Sequence, residues 1–178
     1  ALGDADAVVV TRADQADPGE LTALEARIAG RAAEATLCRA SHRLAGLIGP
    51  DGERKPPESL AGRRVWAFCG IGNPEAFFRT LADAGAEIAG RTVFDDHHAY
   101  GPEDLESLAR DAAEAGAGRL VTTAKDRARI GPAAFAGPPL WATEVLLEVT
   151  AGGDELAALV FAAAGPGGAS APAGAVTA

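Results

Sequence analysis

Aromatic side chains make up only 5% of this 178-residue chain, and its 48% hydrophobic content is carried largely by alanine. A core built from such residues is thinly filled per residue and must rely on helices and small-residue contacts. Cysteine is scarce as well. Cys38 and Cys69 stand apart in apolar stretches with no CxxC pairing, which argues against a zinc ribbon or a disulfide framework and leaves two buried thiols of a reducing compartment. Positive charge is in deficit, with 16 Lys and Arg against 25 Asp and Glu and a formal net charge of -9. Nucleic acid is thereby disfavoured, because phosphate binding needs clustered basic residues. Small anions are not, since backbone amides can hold them in an acidic protein. The longest apolar run, "LAALVFAAAG" (156–165), falls short of the ~20 residues that a bilayer-spanning helix needs. No stretch reads as a signal peptide. There is also no GxxxxGK[ST] loop, hence no Walker-type phosphate cradle.

What is present alternates between strand and helix signals. "DAVVVTR" (6–12) reads as a buried parallel strand. A helix over 17–34 follows, with Asp17 as cap, Pro18 in its first position, and Leu21, Leu24 and Ile28 on one face. "ATLCRASHRL" (35–44) is expected as a strand, and the Pro/Gly-rich segment 48–64 as a surface connection. "RVWAFCG" (64–70) is a strand, and a helix capped by Asn73 and opened by Pro74 follows it, with Phe77, Phe78 and Leu81 facing inward. "EIAGRTVF" (87–94) is the next strand and 101–117 the next helix, opened by Pro102, with Glu103 and Asp104 against its N-terminal dipole. "GRLVTTAKD" (118–126) is a strand running into a polar turn, 139–150 supplies two short strands or one bent one, and 153–165 a last helix. The tail 166–178, all small residues and Pro, is expected to be disordered. The alternation predicts an α/β class, with a mostly parallel sheet flanked by helices, as one domain over 1–165. The opening "ALGDADAVVV" lacks Met and runs almost directly into a strand, so a longer protein is expected.

Sites in such sheets lie at the carboxyl ends of strands, which directs attention to four polar stretches. In "CGIGNPE" (69–75), Gly70 and Gly72 permit a tight turn before a helix whose amides could hold an anion. Pro74 and Glu75 break the GxGxxG pattern, so the loop is either an ordinary βα turn or a polar-ligand loop with Asn73; Asp95 falls near where a ribose-binding acid would sit. "FDDHHAY" (94–100) supports three readings: a metal site, an acid–base pair, or a capped strand end. On an extended backbone Asp95 and His97 would share one face and Asp96 and His98 the other. With His42 the only other histidine and at no ligand spacing, metal is disfavoured. An imidazole beside a carboxylate favours acid–base work, without local grounds to choose between Asp95 and Asp96 or between His97 and His98. "VTTAKDRARI" (121–130) is either a helix start capped by Asp126 with solvated basic residues, or a rim of Thr123, Lys125 and Asp126 for a phosphorylated ligand. Arg12, after Thr11 at the exit of the first strand, is a surface residue or a ligand contact.

Taken in order, "DADAVVVTRAD", "LAGRRVWAFCGIGNPEAFFRTLADAGAEI", "FDDHHAYGPEDLESLA" and "LVTTAKDRARI" resemble the C-terminal half of the tetraacyldisaccharide 4'-kinase family, the lipid A 4'-kinases. The resemblance runs from about Ala5 to Glu148, and the ordered set GIGNPxxF, FxDHHxY and TTxKD is specific where any single member is weak. Two positions depart from the family pattern: Ala124 stands where a Glu usually precedes Lys-Asp, and Asp95 fills a variable position. The resemblance implies a two-domain α/β enzyme related to P-loop kinases. It would transfer the γ-phosphate of Mg-ATP to the 4'-hydroxyl of an acylated glucosamine disaccharide 1-phosphate. The P-loop, the Mg2+-binding acids, the catalytic Asp and a membrane-associated helix would lie in an N-terminal half outside this chain. It further implies that the Asp96–His97 pair supplies a histidine to that catalytic Asp, with His98 the less restricted neighbour, at the cytoplasmic face of the bacterial inner membrane. The alternatives are a nucleotide- or sugar-phosphate-binding domain of another enzyme that uses "GIGNP" as its anion loop, and a non-catalytic interaction domain.

Overall fold

A computed structural model describes residues 2–131, 137–164 and 176–177. Its contacts gather in two compact units, one of Leu44–Val145 and one of the segments on either side, Ala1–Arg43 and Leu146–Ala178. The fold is α/β with a mostly parallel, mixed sheet.

The central unit shows why the chain alternates. Its strands β4 (Arg64–Cys69), β5 (Glu87–Val93), β6 (Arg119–Thr123) and the first part of β7 (Leu140–Ala151) lie in the order β7-β6-β4-β5, all parallel. Parallel neighbours require crossovers, and helices α2 (Pro74–Asp83) and α3 (Pro102–Glu114) provide them. Alternate β4 residues point to opposite faces. Val65, Ala67 and Cys69 join Phe77, Phe78 and Leu81 of α2 in one buried cluster, whereas Phe68 joins Leu108 and Ala112 of α3 in another. Both faces of this sheet are therefore covered, which explains why its strands read as nearly continuous apolar runs. Asn73 Oδ1 accepts from the Ala76 amide at 3.2 Å, and Pro74 begins α2 where a missing N–H costs nothing.

Between Thr123 and Gly131, where a polar turn or a helix start capped by Asp126 was expected, the chain forms a seven-residue helix, α4 (Ala124–Ile130). Thr123, not Asp126, is its cap: the Thr123 hydroxyl oxygen accepts from the Asp126 amide at 3.1 Å. The Pro/Gly-rich connection holds a two-residue strand β3 (Arg54–Lys55), antiparallel to Leu47–Ile48 of strand β2 (Thr36–Ile48), and a 3-10 turn that buries Leu60. Segment 139–150 is one continuous strand, β7.

In the flanking unit, β1 (Ala7–Thr11) pairs in parallel with Thr36–Ala40 of β2. Among the described residues β1 pairs only with β2, and Val9 keeps 36% of its surface, so this strand is half-covered where a buried one was expected. Helix α1 (Pro18–Ala29) starts as its Asp–Pro signal predicts, the Asp17 carboxylate accepting from the Gly19 and Glu20 amides. Leu21 and Ile28 are buried, but Leu24 is 40% exposed, because the buried stripe is narrower than the apolar one. Cys38 and Cys69 are both free and buried; the Cys38 thiol donates to the Gly152 carbonyl at 3.2 Å. Helix α5 (Gly153–Ala164) is strongly apolar, and Val160 and Phe161 on it are exposed. Among the described residues no helix is long and apolar enough to cross a membrane. Of the tail, residues 165–175 and 178 lie outside the described residues, and Val176–Thr177 form a two-residue strand β8 antiparallel to Leu146–Leu147 of β7.

The join of β4 to β5 depends on a glycine. Trp66 faces Gly90 across a register irregularity, and a Cβ at Gly90 would stand 2.1 Å from the indole. The indole cannot swing away freely, because its N–H donates to the Thr92 hydroxyl at 3.1 Å. Gly90→Ala should therefore cost about 1–3 kcal/mol of overpacking, read as a lower urea midpoint with an unchanged slope; an unshifted midpoint would show that the indole has room to move.

Candidate functional site

The carboxyl ends of β4, β5 and β6 bring together the three polar loops of the central unit. Asp126, in the first turn of α4, is fully buried, and a carboxylate there must be matched by donors. It has three. Its Oδ2 accepts from the Thr123 hydroxyl at 2.6 Å and the Gly70 amide at 3.2 Å, and its Oδ1 takes Arg129 Nη1 at 2.9 Å. Arg129 lies one helical turn beyond Asp126, the spacing at which side chains on a helix meet.

Gly70 is held on both sides of its peptide units. Its N–H goes to Asp126, while its carbonyl accepts from the His97 amide at 3.3 Å and from Arg129 Nη1 at 3.1 Å. A Cβ on Gly70 would lie 2.9 Å from the Asp95 carbonyl oxygen, 3.2 Å from the Tyr100 hydroxyl and 3.3 Å from His98 Cβ. Glycine is needed here so that the 95–98 loop can close down on β4. The Gly70 amide is spent on Asp126 and so is not free to cradle an anion, while Asn73 uses its Oδ1 for the α2 cap. Gly72 is exposed, with Asp96 Oδ2 3.6 Å from where its Cβ would be.

The loop is not extended, so the alternation of faces expected along "DDHH" does not apply. Asp95 to His98 form a turn closed by the His98 amide on the Asp95 carbonyl at 3.1 Å, with His97 at φ 63°. A left-handed backbone at a residue other than glycine is uncommon and marks strain worth explaining. The turn sends the two imidazoles to different partners. His97 is 79% exposed; its Nδ1 meets Arg129 Nη2 at 2.9 Å, and its Nε2 stands 3.8 Å from Asp96 Oδ2, beyond hydrogen-bond range. His98, 28% exposed, donates from Nε2 to Asp104 Oδ2 at 2.9 Å and stacks on Phe94 with ring centroids 4.6 Å apart. Tyr100 stands edge-on to His98, Phe94 and Phe68, completing an aromatic wall beneath the loop.

Electrostatics around Asp126 follow from burial. Burial, then the Asp126 charge, pushes the Tyr100 phenol far above its ordinary range, and the same two causes push the Cys69 thiol up to about 12. Both groups therefore stay neutral and protonated, unable to serve as nucleophiles. Asp104 is held below its ordinary value, first by the Gly101 amide at 2.8 Å and then by His98.

Of the residues singled out in the sequence, Gly70, Gly72, Asp96, His97, Thr123 and Asp126 converge here. Asn73 acts as a helix cap. Lys125 and Ala124 are exposed at the start of α4, and Arg12, exposed with φ 57°, follows β1 in the flanking unit. Among the described residues no group of three His, Cys, Asp or Glu side chains could hold a metal ion. The sequence leaves Arg129 among the solvated basic residues of 121–130 and Asp104 as a partner of the helix dipole. The Thr123-x-x-Asp126 capping spacing was the available signal for α4, and hence for Arg129 one turn on.

The fold that carries these loops has a counterpart among solved structures. The structure of LpxK from Aquifex aeolicus, an "apo" form in complex with ATP, superimposes with a TM-score of 0.50 at 17% identity, covering 88% of this chain and 51% of that one. At that identity the likeness defines the class, an α/β fold with the same layout of sheet and helices. The sequence then specifies the group within it: the chain belongs to the LpxK family, tetraacyldisaccharide-1-P 4'-kinase, whose model matches residues 1–163. It is 40% identical over 164 residues to the tetraacyldisaccharide 4'-kinase of Anaeromyxobacter sp. strain Fw109-5, covering 92% of this chain and 44% of that protein. To the enzyme of that name from Geobacter metallireducens it is 42% identical over 133 residues, 74% of this chain and 36% of that protein. The chain thus spans less than half the length of these relatives.

The His98–Asp104–Gly101 linkage gives a pH-dependent expectation. Folding lowers the Asp104 pKa, so the carboxylate's contribution is complete above its ordinary value of 3.8 and is lost as pH falls through the lower, folded value. Asp104→Ala should cost about 1 kcal/mol near pH 7, the usual price of a lost helix-start partner, with the penalty shrinking as pH drops below 4 or so. Urea unfolding at both pH values checks this, and a penalty independent of pH would contradict it.

Proposed function

We propose that this chain forms the C-terminal part of a lipid kinase that transfers the γ-phosphate of ATP to the 4'-hydroxyl of a tetraacyldisaccharide 1-phosphate, at the cytoplasmic face of the bacterial inner membrane. The observation that carries this reading, beside family membership, is the presentation of His97. Its imidazole is exposed at the carboxyl edge of the sheet, on a left-handed backbone, while its inner nitrogen is held by Arg129. Phosphoryl transfer asks the protein mainly for positioning and charge. A histidine fixed in this way can donate to a base carboxylate on the other half of the enzyme, aim it at the sugar hydroxyl and steady its negative charge.

The chain's own residues fit that supporting role better than nucleotide binding. The Gly70 amide is engaged internally; Mg2+, when bound, would neutralise charge on the transferring phosphoryl group, and this reading puts its ligands and the P-loop on the other half of the enzyme. Lys125, exposed at the rim, has the charge for a phosphate oxygen. Asp126 is too deeply buried to touch ligand, and Asp96, beside Gly72, flanks the histidine without bonding to it.

In a full-length protein carrying this chain, His97→Ala should lower turnover of tetraacyldisaccharide 1-phosphate by about two to four orders of magnitude, with the ATP KM little changed. Near-normal turnover in a labelled-phosphate transfer assay would overturn the role.

A further inference from the structure

We propose that Arg129, anchored on the buried Asp126, is a positioning residue that sets both the tautomer and the direction of His97; the kinetic part of this inference rests on the function proposed above. The geometry admits one proton arrangement. A guanidinium has donors and no acceptor, so the 2.9 Å contact between Arg129 Nη2 and His97 Nδ1 requires a lone pair on Nδ1. The ring proton must then sit on Nε2, the nitrogen left for an outside partner, since Asp96 Oδ2 at 3.8 Å is too distant to take it. A base carboxylate arriving from outside needs a donor, and Nε2–H is that donor.

Arg129 is itself fixed from behind. Its side chain is only 24% exposed, and Nη1 is shared between Asp126 Oδ1 at 2.9 Å and the Gly70 carbonyl at 3.1 Å. Asp126 in turn is locked by the Thr123 hydroxyl and the Gly70 amide. The planar guanidinium transmits this rigidity, because fixing Nη1 fixes where Nη2 points. The His97 amide bonds to the same Gly70 carbonyl. Backbone and ring of His97 are therefore referenced to one peptide group, with Arg129 as the link to the ring. This assigns the Asp of the Lys125–Asp126 pair an interior task in place of ligand binding.

Two measurements on the full-length protein carrying this chain test the proposal. With 15N-labelled histidine, and the His97 signals identified by their loss in His97→Ala, the neutral ring should show the Nε2–H tautomer; an Nδ1–H tautomer would overturn the proposal without reference to activity. Arg129→Ala should lower kcat about 10- to 100-fold, the usual effect of losing a partner that orients a working histidine, with KM for both substrates within about twofold. Added to His97→Ala it should cause no further loss, since residues acting through one another are not additive. If the alanine variant does not fold, Arg129→Lys, which keeps a cation beside Asp126, enters the same cycle and should be equally silent in the His97→Ala background. A loss of the same size with and without His97 would mean that Arg129 acts through the scaffold, and the proposal fails. Normal turnover in His97→Ala alone would instead overturn the function proposed for the chain, leaving the tautomer result to stand or fall separately.

Discussion

A carboxylate with no exposed surface must find all its partners inside the protein, and the way Asp126 finds them organises the site. Its donors come from three places: the end of β6 through Thr123, the end of β4 through Gly70, and its own helix through Arg129. Leaving such a charge unpaired costs several kcal/mol, so these loops are not independent of one another. The 95–98 turn joins the same network through the Gly70 carbonyl and Arg129. Asp126 thus ties the ends of β4 and β6 together, and the histidine turn is bonded to that joint through Gly70 and Arg129.

The sheet decides where this network sits. Parallel strands with helices on both faces leave only their ends accessible, and the carboxyl ends carry the short turns into α2 and α4 and the longer passage from β5 to α3. That longer passage has room for the DDHH turn. Beneath it, Phe68, Phe94, Tyr100 and His98 form a ring-to-ring floor. Few aromatics are present in the chain, and a cluster of them is spent at this position. The two histidines consequently differ in kind: His98 is part of the floor and tied to Asp104, whereas His97 stands above it.

Much of this was legible in the sequence, for physical reasons. Asp17–Pro18, Asn73–Pro74 and Pro102 mark helix starts because capping oxygens and a missing N–H both suit a helix's first turn, and the structure places the helices there. Apolar runs such as "VWAFC" give buried parallel strands because both faces are covered. Helix α4 was harder to see, since seven residues with Ile130 as their one large apolar side chain carry little periodicity. The DDHH turn could not be read from alternation, because its conformation is imposed from outside by Gly70 and Arg129. Asp126 read as a helix cap or a ligand contact; its burial is a property of the packed sheet and not of the "TTAKD" string. The family resemblance points to Asp96–His97, and the Arg129 contact on His97 Nδ1 has no signal in those motifs.

The backbone at His97 has an implication of its own. A left-handed conformation costs an ordinary L-residue roughly 1–2 kcal/mol relative to glycine, and an imidazole with most of its surface in solvent returns little packing energy. A chain tuned for folding alone would place Gly or Asn at this position. With the role proposed for His97, that cost is the kind that natural proteins carry where activity and rigidity compete. Thermostability screens of this family fold that score folding only would tend to remove it first.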